Sequence, residues 1–308
     1  MSMDHKTDIL IQGVSKIFRT GFGKSKIGVQ NLNLEVPKGQ VVGLLGPNGS
    51  GKSTTIKMIL GFLRPTSGKI SVCGHQVPSQ ITRSFIGYLP ENPRFPKFLS
   101  GRSLLTFYGR LLSLSGKELE TRIDFLLDLV NLKGASDEKV QGYSKGMTQR
   151  LAIAQALINK PRLLIFDEPM SGLDPLGRKD IRSLIGRIHS ELPEASIFFS
   201  SHILEDIEQL CSMVALLKKG QLQTFCSIDE LLKSDNQKFE VSVRTSKETE
   251  VKTLNGTDEL IEFLSQSKSK GFLVSSINSQ RRTLEEALFR DGNAGMKLNR
   301  TGSPEVQP

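Results

Sequence analysis

The spacing of apolar positions divides the chain into three textures. Up to about residue 90, short apolar runs and alternating stretches are broken by glycine-rich turns, which predicts strands. VVGLL, Val41 to Leu45, is a continuous apolar run of the kind buried on both faces of a sheet. KSTTIKMILGFL follows it with helical spacing, and SFIGYLP closes the region as a strand. Between 91 and 150, SGRSLLTFYGRLLSL and GKELETRIDFLLDLVNL carry apolar residues three and four apart and predict two amphipathic helices. A third helix is predicted from RLAIAQALI, led in by YSKGM with Ser144 as its N-cap. Buried-type strands return at Leu163 to Phe166 and in SIFFSSHILED, where the strand should end at Ser200 to His202.

From about 238 the texture changes. KFEVSVRT and GFLVSSIN are strand-like, GTDELIEFLSQS and TLEEALFRDG helix-like, and GNAGMKLNRTGSPEVQP reads as disordered. The expected organisation is one domain over 1–235, a small α+β extension over 236–291 and a tail over 292–308. There are no internal repeats and no sustained heptads.

Composition narrows the class. Apolar content of 37% and charged content of 24% over 308 residues suit a globular protein. No apolar run reaches the roughly 18–20 residues of a membrane helix, and MSMDHKTDIL is too polar for a signal peptide. A cytoplasmic location is expected. Cys73, Cys211 and Cys226 are odd in number and form no CxxC, which points to free thiols. Four histidines without an HxxxH offer no structural metal site. The net charge of +9 is lopsided: residues 1–100 hold 13 Lys and Arg against 4 Asp and Glu, the remainder 28 against 28. The first third therefore suits an anionic ligand or surface, although a solvated basic face gives the same count.

The anion is specified by VVGLLGPNGSGKST. Its strand meets Gly46, Pro47, Asn48, Gly49, Ser50, Gly51, Lys52, Ser53 and Thr54, a GxxxxGK[ST] cradle before a helix. Glycines let successive backbone N–H groups turn toward one phosphate. Lys52 can reach the β- and γ-phosphates and Ser53 can ligate Mg²⁺. In RLLIFDEP, Asp167 stands at the C-terminal end of a buried strand, where open α/β sheets bind ligands, and would hold Mg²⁺ through water. Glu168, next along a strand, would point the other way, giving one carboxylate to the metal and one to an attacking water. His202 ends a second core strand on the same sheet edge, near a γ-phosphate.

With the turn SGLDP, these motifs stand in the order cradle, YSKGM, LLIFDEP, SGLD, SSH. The set resembles the nucleotide-binding subunit of ATP-binding cassette (ABC) transporters, over about residues 8–235. The resemblance implies an α/β fold: a P-loop NTPase (RecA-like) core, an antiparallel β subdomain, an inserted helical subdomain at about 91–150, and here a small C-terminal α+β appendage. It implies ATP and Mg²⁺, with Glu168 as catalytic base, His202 as the γ-phosphate switch and Asp174 as the acid of the D-loop. The aromatic that stacks on adenine is Phe18, with Phe22 as runner-up. The signature reads YSKGM rather than the commoner LSGGQ, and Glu91 stands where the family has a glutamine. Both variants look like the ABC-2-type export branch. Glu91 is either a further Mg²⁺ ligand or a coupling residue. In this family two subunits pack head to tail, so Ser144, Gly146 and Met147 would close over the partner's ATP. A homodimer is implied, peripheral on the inner face of the membrane and driving separate transmembrane permease subunits, with no nucleic acid. The alternative is a soluble relative acting on ribosomes or DNA. Those usually carry two cassettes or long coiled coils, and this chain has neither. A P-loop kinase would lack the signature and His202.

Overall fold

The computed structural model describes residues 6–20, 24–232, 238–244, 249–269, 272–280, 283–285 and 287–288. The chain falls into two compact units, Met1–Ile228 and Asp229–Pro308, dividing seven residues before the expected boundary at 235.

In the first unit, β1 (Thr7–Thr20) and β2 (Lys24–Pro37) form a long antiparallel hairpin. β3 (Val41–Leu45) leads through the glycine loop into α1 (Lys52–Ile59). β4 (Ser67–Val72) and β5 (His75–Gln76) complete a four-stranded antiparallel sheet in the order β2-β1-β4-β5. A short helix, α2 (Gln80–Ser84), capped reciprocally by Ser79 and Thr82, precedes β6 (Ile86–Leu89). α3 (Gly101–Leu111), α4 (Gly116–Leu129) and α5 (Lys145–Leu157) pack on one another and bury Leu104, Leu105, Leu126, Leu127 and Leu151. β7 (Leu163–Asp167), α6 (Pro175–Glu191), β8 (Ser196–Ser201), α7 (Leu204–Leu210), β9 (Met213–Lys218) and β10 (Gln221–Ser227) finish the unit, and α8 (Ile228–Leu232) begins at its edge.

The central sheet runs β10-β9-β3-β8-β7-β6, parallel except for β10, which turns back through Lys219 and Gly220. Both turn residues have positive φ, as a two-residue hairpin requires. Strand periodicity then decides what faces what. Val42, Leu44, Leu163, Ile165, Phe198, Ala215 and Leu217 share a core with α1 and the antiparallel sheet. Their neighbours Leu45, Leu164, Phe166, Ile197, Phe199 and Val214 are equally buried, and alternation places them on the opposite face. By the same count Asp167 and Ser200 lie on the α1 face, and Ser201 on the other.

The second unit has a three-stranded antiparallel sheet, β12 (Thr249–Asn255), β11 (Lys238–Arg244) and β13 (Leu273–Gln280), packed on α9 (Gly256–Ser269). Phe239, Val241, Val243 and Leu254 form its core with Leu260, Phe263 and Val274. β12 was not anticipated. Among its described side chains only Leu254 is buried, so no alternation marks it. The tail over 292–308 and much of the helix expected from TLEEALFRDG lie outside the described residues.

Candidate functional site

The cradle is formed as its glycines demand. Gly51 has φ +111, and a Cβ there would stand 2.6 Å from the carbonyl oxygen of Gly28. Any side chain would be both strained and obstructed. Lys52, nearly buried, turns its Nζ to the carbonyl oxygen of Gly46 at 2.6 Å. The cleft above the cradle has a volume of about 460 Å³. Phe18, Asn48, Gly49, Ser53, Thr54, Glu91, Glu168 and His202 line it, together with Lys26, Ile27 and Gly28 from β2. Phe18 reaches it because position 28 is glycine: a Cβ at Gly28 would lie 2.6 Å from the Phe18 ring. Phe22 lies outside the described residues.

Across the cleft the acidic end of β7 is tied in place. Asp167 Oδ1 accepts from Ser200 Oγ at 2.8 Å and lies 3.4 Å from Ser53 Oγ. Burial raises the Asp167 pKa, the Ser200 hydrogen bond opposes that rise, and the charges of Glu168 and Glu91 add to it. Tyr88 on β6, half-buried, is pushed up to about 12 by desolvation and then by the charges of Asp167 and Glu91, and stays a neutral phenol. The strand stops at Asp167, so Glu168 does not diverge from it by strand alternation as expected. It does so by taking φ +49, a left-handed backbone rare for a residue with a long side chain. That turn sets Glu168 Oε1 3.3 Å from Lys52 Nζ and Oε2 2.8 Å from His202 Nδ1. β8 likewise stops at Ser201, and His202 follows it.

This arrangement can receive a phosphate chain, and comparison with known proteins says which family carries it. The ABC transporter family matches residues 29–171. An uncharacterized ABC transporter ATP-binding protein of Nostoc sp. (strain PCC 7120) is 37% identical over 295 residues, 90% of this chain and 88% of that protein. The chain belongs to the ATP-binding subunits of ABC transporters. Nod factor export ATP-binding protein I of Rhizobium johnstonii is 36% identical, with 76% of this chain and 78% of that protein covered. Among solved structures, cbiO1 of Clostridium perfringens, part of the ABC transporter complex cbiONQ, aligns with a TM-score of 0.66 at 26% identity. That alignment covers 74% of this chain and 91% of that one. The ABC subunit described here is thus an ATPase, and the RecA-like core with its antiparallel and helical subdomains is the fold of such cassettes.

Not every residue of the expected set reaches the cleft. Ser144 caps α5, its Oγ accepting from the backbone N–H of Met147 at 3.2 Å, and Asp174 caps α6 through the N–H of Gly177 at 3.1 Å. Neither these two nor Gly146 or Met147 lines the cleft of their own chain. Glu91 does, and its Oε1 accepts from Ser171 Oγ of the D-loop at 3.4 Å. Ser200, Ser171 and Gly28 were not singled out from sequence. The sequence marks Ser200 only as a hydroxyl that interrupts a buried run two residues before His202; its pairing with the strand of Asp167 is seen in the structure.

Proposed function

We propose that this ABC ATPase hydrolyses ATP with Glu168 as the group that orients and deprotonates the attacking water. The observation that carries the reading is the Glu168 carboxylate, bracketed between Lys52 and His202 at the mouth of the phosphate cradle. Gly46 to Thr54 hold the phosphates, and Phe18 stacks on adenine beside Gly28. Triphosphate would exchange the partner of Lys52, from the Glu168 carboxylate to phosphate oxygen, and so release that carboxylate for water. His202, bound to Glu168 through Nδ1, keeps its other ring nitrogen for the γ-phosphate.

Mg²⁺ fits the donors available. Among the described residues no group of three or more His, Cys, Asp or Glu could hold a metal. Mg²⁺ takes few protein ligands and completes its shell with phosphate and water. Ser53 and Asp167 would hold it, with Glu91 beside them. When bound it would neutralise charge developing on the phosphates.

The signature residues serve a partner's ATP. Their absence from the cleft of their own chain supports a head-to-tail homodimer with two shared sites. The dimer drives separate transmembrane permease subunits from the cytoplasmic face. Among the described residues no helix is long and apolar enough to cross a membrane. Outward transport is the direction favoured by the likeness to the Nod factor export protein.

Replacing Glu168 tests the chemistry. Glu168→Gln should keep ATP affinity within about twofold and lower turnover by about a hundredfold or more, the scale of losing a general base. It should also lengthen the life of the ATP-bound dimer, measured by retained radiolabelled nucleotide. Wild-type turnover in this variant would sink the reading.

A further inference from the structure

The structure assigns Ser200 a positioning role at the reacting centre: one buried hydroxyl sets the orientation of both Asp167 and Glu168. The assignment rests on the roles proposed above for those two carboxylates.

Ser200 is fully buried near the end of β8, in register with Asp167 on β7, and Phe198 and Phe199 precede it. A hydroxyl in such a place must find partners. It finds them at the end of β7. Its Oγ donates to Asp167 Oδ1 at 2.8 Å and accepts from the backbone N–H of Glu168 at 3.0 Å. A serine hydroxyl combines a donor and acceptors in a single atom, which this bridge needs. Alanine can do neither.

Each half of the bridge has a separate effect. On Asp167 it fixes Oδ1, and among the described residues no hydrogen bond reaches Oδ2, which remains for the metal or its water. On Glu168 it engages the first N–H beyond the strand end, at the residue with φ +49. That turn is what directs the Glu168 carboxylate to Lys52 and His202. The bridge therefore couples the metal-holding group to the water-orienting group through one atom.

The neighbouring Ser201 supplies a control. It is as buried, on the same strand, and lies on the opposite face. There its Oγ lies 3.3 Å from Asp206 Oδ2 and accepts from the N–H of Ile203 at 3.0 Å. Deleting its hydroxyl should cost stability without touching the pair of carboxylates.

The test uses the full chain with Ser200→Ala, Ser200→Thr and Ser200→Val, beside Ser201→Ala and Glu168→Gln. Threonine and valine have nearly the same shape and differ by the hydroxyl, so their ratio reads the hydroxyl even where alanine fails to fold. Removing one hydrogen bond to a charged group changes a rate or equilibrium by about tenfold or more. In Ser200→Val the Glu168 amide should exchange with solvent faster by about that factor, measured without nucleotide. kcat should fall by a similar factor, and Mn²⁺, followed by electron paramagnetic resonance with a non-hydrolysable ATP analogue, should bind more weakly. Metal-free ATP affinity should stay within about twofold, and Ser200→Thr should stay near wild type in every readout. Equal amide exchange and equal kcat in the threonine and valine variants would overturn the assignment. So would the same losses in Ser201→Ala. If Glu168→Gln turns over at the wild-type rate, the underlying reading of the site fails instead.

Discussion

At the scale of single residues, chemistry and environment separate cleanly. Cys73 is buried beside Asp8, and its thiol is pushed up to about 12, first by burial and then by the Asp8 charge. Only on the order of one thiol in ten thousand is ionised at pH 8 at such a pKa, and the thiolate is the reactive form. Iodoacetamide should therefore leave Cys73 unlabelled in the folded protein and modify it on denaturation, as peptide mass spectrometry would read. Labelling of Cys73 under native conditions at the rate of a free thiol would contradict its placement. The residues that the structure gathers around the cradle were legible because phosphate chemistry needs fixed types at fixed spacings, from Gly46 to Thr54 and at Asp167, Glu168 and His202. Backbone conformation was not. Nothing in FDEP announces that the strand ends at Asp167 and that Glu168 turns left-handed. The hydroxyl that bridges this corner belongs to another strand, so the spacing within either strand cannot show the pairing.

At the scale of elements, apolar runs gave the buried strands β3, β7 and β8 almost to the residue, because a strand enclosed on both faces has no other way to be written. α2 was missed because it is a single turn, too short for a period, and only its Ser79–Thr82 cap marks it. The contact between β3 and α7 shows the limit in another way. Gly43 lies in the middle of β3, and a Cβ there would meet the Ile207 side chain and stand 2.8 Å from Cys211 Sγ. Glycine lets the helix that follows His202 lie directly on the strand that feeds the cradle. Gly43→Ala should push α7 outward and cost about 1–3 kcal/mol, the scale of overpacking a core. Chemical denaturation would measure the loss. It should come with lower turnover, since α7 begins just beyond His202. An unchanged midpoint would mean that the two elements yield without strain.

At the scale of the whole molecule, the proposed dimer makes each active site common property. Lys52→Ala breaks the cradle, and Ser144→Arg blocks the signature with bulk and charge. Mixed, the first chain offers an intact signature and the second an intact cradle. One working site should appear, and ATPase activity should return that neither variant shows alone. Mixed dimers that form but trap no ATP would count against the shared site; trapped but unhydrolysed ATP would show instead that both sites must fire together. The left-handed backbone at Glu168 also belongs to this scale, since it costs the chain about 1–3 kcal/mol out of a net stability on the order of 5–15 kcal/mol. Asparagine and glycine take that conformation more readily, so backbone energy alone disfavours glutamate at position 168, and the hydrolytic role proposed for Glu168 is what would offset that cost. A duplicated copy released from transport would exchange Glu168 early in its decay, growing sturdier as it fell silent.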